Sequence, residues 1–173
     1  MLTPSEAVEL ATLMDKTEFH SIPLPGPIFF AWCRNFYANA TELAIVRTKD
    51  GRKEVFLNQR PANDPFYAHM WHMPGTICLP GKTFREMVAG GLKREVGEKL
   101  TETIVIPETF VKHWDNVEGL RGHTNQFLYV IELTEEQASM AEGGKFFSVD
   151  TPPLPLVPEH VKMIAWLKNH LVQ

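Results

Sequence analysis

The segment from Trp71 to Leu100, WHMPGTICLPGKTFREMVAGGLKREVGEKL, constrains the fold of this chain more than any other. It reads as a glycine-proline loop that feeds an amphipathic helix. Thr83 with Glu86 forms a capping box, which satisfies N–H groups that the first helical turn leaves open. Phe84, Val88, Leu92, Val96 and Leu100 recur every fourth residue and give one apolar stripe, so the helix packs on a sheet. The Gly90-Gly91 pair in its middle weakens it by roughly 1 kcal/mol per glycine relative to alanine, and marks a close approach or a local break. A loop of this kind, leading to a helix that carries glutamates, can hold metal ions against a diphosphate. Here Lys, Arg and Gly stand at several positions where such a site needs Glu.

The flanking sequence supplies a sheet. Glu42 to Thr48 and Glu54 to Gln59 are strand-like, and the Asp50-Gly51 pair between them signals a hairpin. Thr109 to Trp114, Gln126 to Glu132 and Lys145 to Val149 read as further strands. A helix from Glu159 to Leu171 offers Val161, Ile164, Ala165 and Trp166 to the core. At the other end, Thr3-Pro4-Ser5-Glu6 starts a helix through about Met14. Ile22 to Pro27 is then a proline linker of extended backbone. This order predicts an α+β protein with a mixed sheet between helices, divided into an N-terminal helix and linker over 1–28 and one globular unit over 29–173.

At 173 residues the chain suits one domain with a real core. A net charge of −4 argues against nucleic-acid binding driven by bulk electrostatics, which needs clustered Lys and Arg. A small phosphorylated ligand needs only local positive charge or a metal. Cys33 and Cys78 lie outside any metal-ligand spacing and read as reduced thiols in or near the core, which points to the cytoplasm. Neither a membrane span nor a secretion signal is expected.

Val55 to Arg60, then Trp71-His72-Met73-Pro74-Gly75, then Leu79-Pro80-Gly81 and the capped helix resemble a Nudix domain. So does the ending, Phe146-Phe147-Ser148-Val149 before a proline-rich turn and a helix with Trp166-Leu167. The resemblance runs from about Phe29 to Leu171 and implies the Nudix α/β/α sandwich. It also implies a box, Gly-x5-Glu-x7-Arg-Glu-U-x-Glu-Glu-x-Gly-U with U aliphatic, whose glutamates hold Mg²⁺ or Mn²⁺ over a diphosphate and activate water. On that box Thr76 replaces the first Gly and Lys82 the first Glu. Two registers cover the rest. Without a gap, Leu92, Glu95 and Gly97 match, while Gly91 and Arg94 replace glutamates. With a four-residue insertion, Arg94, Glu95 and Glu98 match, while Lys99 falls on the last Glu. The first keeps the usual helix length and a glycine at its end; the second keeps two carboxylates on one face.

The resemblance therefore names Glu95 and Glu98 as catalytic carboxylates and Glu95, Glu98 and Glu118 as metal ligands. Arg60, Trp71, Gly75, Lys82 and Arg94 are its substrate-binding candidates. Glu98 and Glu86 are as readily solvated helix charges, and Trp71 and Trp114 are more often core or pocket-wall aromatics. Two readings compete. One is a Nudix hydrolase, weak because the box is incomplete, that cleaves a diphosphate bond in a nucleoside-diphosphate compound. The other is a catalytically silent Nudix-like module that binds a nucleotide or a protein, with Lys82, Arg94 and Lys99 supplying positive charge without metal. A structural domain with no ligand ranks third, and a homodimer is left open. Substrate choice is expected in the loops Pro61 to Met70 and Trp114 to Thr124.

Overall fold

The computed structural model describes residues 3–16, 26–35 and 37–171. Helix α1 spans Pro4–Lys16, with Thr3 and Glu6 exchanging the reciprocal bonds of a capping box. Residues 22–25 of the expected linker lie outside the described residues, and its last two residues open a helix rather than extended backbone. That helix, α2 (Gly26–Asn35), packs toward β6 and crosses the expected boundary between residues 28 and 29. Pro27 suits it, because proline in the first turn gives up an N–H that has no intrahelical partner.

The sheet is built around β1 (Ala38–Lys49). Along one edge β1 runs parallel to β6 (Gly122–Leu133) from Ala38 to Arg47. Along the other it pairs first with β4 (Gly75–Ile77) and then with β2 (Arg52–Gln59), both antiparallel. The hairpin between β1 and β2 turns through Asp50 and Gly51, both at positive φ, as the Asp-Gly signal requires. β2 also carries β3 (Trp71–His72) and β7 (Gly144–Ser148), while β5 (Lys112–Gly119) closes the far edge on β6. β5 begins later than Thr109 and runs through a bulge between Trp114 and Val117, where Asn116 takes a positive φ that asparagine tolerates.

Alternation along β1 separates two cores. Leu43 and Ile45 face α3 (Phe84–Val96), meeting Val88, Leu92, Val96, Tyr129 and Ile131. Ala44 and Val46 face α6 (Pro158–Leu171), meeting Leu57, Met73, Met163, Ile164 and Leu167. The buried stripe of α6 is thus His160, Met163, Ile164 and Leu167 at helical spacing. The expected core residues Val161 and Ala165 point outward instead. The short helix α5 (Glu135–Ser139) caps the α3 side.

The apolar stripe of the α3 segment is buried at Val88, Leu92, Val96 and Leu100, while Phe84 stays 40% exposed against Phe127. It does not belong to one helix. Gly97 takes φ 96° and ψ 153°, ends α3, and starts α4 (Glu98–Thr103). No residue with a Cβ adopts that backbone without strain. A helix of this length ending on a glycine is what the ungapped register expects.

Candidate functional site

Residues of the box line a cavity of about 390 Å³ with Thr76, Leu79, Lys82, Glu86, Met87, Ala89, Gly90, Gly91 and Arg94 in its wall. The glycine pair makes the room. A Cβ on Gly90 would meet nothing within 4 Å, and one on Gly91 would only touch Leu43 and Thr76. Two cations flank the space. Lys82 is exposed and forms no ion pair among the described residues. Arg94 is braced from two sides, by its Nε on Glu95 Oε1 at 3.0 Å and its Nη2 on the Gly75 carbonyl at 3.0 Å. Nη1 has no hydrogen bond or ion pair among the described residues, so on that side the guanidinium keeps an open edge. Glu86 is tied to the Thr83 N–H and hydroxyl, and those bonds hold its carboxyl below the usual carboxylate range.

The carboxylates expected to hold metal are not brought together. No group of three or more His, Cys, Asp or Glu side chains able to hold a metal exists among the described residues. Glu95 is engaged by Arg94 and by Asn58, whose amide donates to its backbone carbonyl at 3.0 Å and to Oε2 at 3.4 Å. Glu98 starts α4 on the far side of Gly97 and pairs in solvent with Lys93. Glu118 lies in β5 opposite His123, three strand positions from the β2 edge that carries Asn58, about 14 Å by strand spacing. Among the described residues Glu95, Glu98 and Glu118 thus stand apart, each with its own surroundings. A divalent ion needs several hard oxygen ligands, and this donor set supplies one braced carboxylate beside two cations. The residues present do not fit a Nudix metal centre.

The remaining candidates divide. Gly75 packs β4 against β1 so closely that a Cβ would approach Glu42 Oε2 to 2.5 Å and the Thr41 carbonyl to 2.8 Å, so packing requires glycine there, and its carbonyl accepts the bond from Arg94. Trp71 stands edge-on to Phe147 at 4.7 Å, and its backbone bonds Pro155 and Val157. That placement makes it a wall of the α6-side core. Arg60 is different. Its Nη1 lies 3.8 Å from Asp64, its Nε is buried without a partner, and no hydrogen bond from its side chain is formed among the described residues.

Arg60 belongs to a buried polar junction that the sequence does not announce. Glu42 is 8% exposed on β1, and its Oε2 lies 3.4 Å from His160 Nε2. The Met73 N–H donates to His160 Nδ1 at 2.9 Å, which leaves the ring proton on Nε2, facing Glu42. His72 lies beside this pair and bonds the Met73 carbonyl through Nδ1 at 2.8 Å. Burial first, then the nearby cation Arg60, pushes its pKa down to about 3, so it stays neutral. Only period-breaking hints mark these residues: a glutamate within a strand run, and a histidine on the apolar stripe of α6.

No family model matches the sequence, and no curated protein matches it. Solved structures do. The NUDIX domain of Shewanella oneidensis NrtR, complexed with ADP ribose, superposes with a TM-score of 0.60 at 17% identity, over 86% of this chain and 99% of that one. A mutT/nudix family protein from Listeria innocua gives 0.61 at 17% identity, over 79% and 98%. The Ap4A hydrolase of C. elegans gives 0.57 at 18% identity, over 77% and 95%. With a mixed sheet between α3 and α6 and a capped helix after a Gly-Pro loop, this chain has the Nudix fold.

Proposed function

We propose that this chain is a Nudix-fold module that binds a phosphorylated small molecule, of the nucleoside-diphosphate type, without a resident metal and without efficient hydrolysis. The observation that carries this reading is the cavity over Gly90 and Gly91, flanked by Lys82 and the open edge of Arg94. Two cations take the places of box glutamates, and they can neutralise phosphate oxygens directly. Arg94 supplies a planar fork held in position before ligand arrives, and Lys82 supplies a mobile point charge. Solved neighbours that include a domain complexed with ADP ribose and an Ap4A hydrolase make those two compounds sensible probes.

A hydrolase of low activity is the competing reading, because Glu95 falls on a box glutamate and its side chain is only 19% exposed. No metal-dependent step follows from the donor set present. Thermal shift with pyrophosphate, ADP, ADP-ribose and Ap4A, each with EDTA and with Mg²⁺, separates the two. Binding predicts stabilisation that EDTA leaves intact. Mg²⁺-dependent release of nucleotide or phosphate, abolished by Glu95→Gln, would establish the hydrolase.

A further inference from the structure

The loops Pro61 to Met70 and Trp114 to Thr124 are locked together by three contacts outside the box cavity. Arg121, in the turn between β5 and β6, donates from Nη2 to Asp64 Oδ2 at 2.6 Å, and its Cζ lies 5.1 Å over the Tyr67 ring. The Leu120 N–H donates to the Tyr67 hydroxyl at 3.0 Å, and that hydroxyl donates to Glu159 at the start of α6. Asp64 is the pivot. Its Oδ1 accepts the N–H groups of Phe66 and Tyr67, and its Oδ2 faces both Arg121 and Arg60.

This arrangement leaves cationic capacity unused. Two guanidiniums share one carboxylate whose side chain is 7% exposed and already bonded at both oxygens. Arg60 forms no side-chain hydrogen bond among the described residues, Arg121 forms one, and the Nε of each is buried with no partner. A guanidinium carries five donors, and leaving buried donors unmet is costly. Both side chains keep an outer face, at 29% and 25% exposure. Burial and the mutual repulsion with Arg121 lower the pKa of Arg60, the response of a cation short of anionic partners. Asp64 first, then Glu95 and Glu42, offset part of this, but among the described residues only Asp64 lies within ion-pair distance of Arg60.

We propose that Arg121 and Arg60, held on Asp64, form a paired-guanidinium clamp for a phosphoryl group, which makes the turn between β5 and β6 part of a ligand site. Fork-shaped donors match phosphate oxygens two at a time, and a dianion balances the charge that Asp64 leaves over. The clamp stands without the box cavity, since its residues come from the loop after β2 and from the β5–β6 turn. A ligand with two phosphoryl groups could engage either or both.

The test is an NMR titration of the full chain with inorganic phosphate at fixed pH and ionic strength, reading the Arg Nε–H signals. The Arg60 and Arg121 signals are expected to shift saturably with phosphate and not with chloride. The double variant Lys82→Gln, Arg94→Gln is expected to leave those shifts intact, which separates the clamp from the box cavity. Arg121→Lys keeps the charge beside Asp64 but loses the fork, and is expected to weaken the phosphate response about tenfold. Equal shifts with chloride, shifts abolished by the double variant, or an Arg121→Lys response as strong as that of the parent chain would each overturn the proposal.

Discussion

Two polar regions of this molecule are built on opposite terms. The box cavity is open and lightly tied: Lys82 forms no ion pair among the described residues, Glu86 is exposed, and two glycines leave the wall without side chains. The junction of Glu42, His72, His160, Asp64 and Tyr67 is buried and cross-bonded among β1, β3, α6 and the loop after β2. Changes in the first should alter ligand chemistry and leave the fold alone. In the second they should unsettle the fold, because a buried polar group left without its partner costs more than a surface charge gains.

The largest expected effect breaks the junction. Asp64→Ala removes the acceptor for two backbone N–H groups and leaves two guanidiniums facing each other, which should cost about 3 kcal/mol in denaturant unfolding. A loss under 1 kcal/mol would place the junction on the same footing as the cavity.

Next comes pH. His72 titrates near 3 in the fold and near 6.5 when unfolded, so the unfolded chain binds the extra proton between those values. The stability tied to neutral His72 is whole above pH 6.5 and is lost as pH falls toward 3, on the order of a few kcal/mol in all. Asp64 has the opposite origin. Burial raises its pKa, but bonds from Phe66, Tyr67 and Arg121 outweigh that and hold it low, so its contribution fades only below about pH 4. Urea midpoints at pH 7 and pH 5 should diverge in the parent chain and converge in His72→Gln.

Smaller effects belong to the box helix. Thr83→Ala should destabilise by about 1 kcal/mol through loss of the cap. Gly90→Ala should stabilise by roughly 0.5–1 kcal/mol, since its Cβ would enter open space within a helix. The same methyl should crowd the cavity and weaken phosphate binding. Lys82→Gln should move stability by less than about 0.5 kcal/mol.

The contrast also explains what the sequence could tell. The apolar stripe, the cap and the Asp-Gly turn are local signals, and α3, the β1–β2 hairpin and the two cores follow from them. In the sequence Gly97 could end a helix or sit within a longer one, and its positive φ is visible only in the structure. The resemblance that names Glu98 and Glu118 does not reveal that Glu98 starts a new helix after Gly97 or that Glu118 lies on the far strand of the sheet. The junction was hidden for a similar reason. Glu42, Asp64, Arg121 and His160 are far apart in sequence, and each alone resembles a surface charge.

Phosphate held in the cavity over Gly90 and Gly91 without metal leaves a calorimetric signature. Calorimetric titration with ADP-ribose in EDTA and again in Mg²⁺ tests it most directly. The account predicts the same affinity in both buffers, weakened about tenfold by Arg94→Gln, with the ligand recovered intact. Binding that appears only with Mg²⁺, or turnover that disappears in Glu95→Gln, would contradict it.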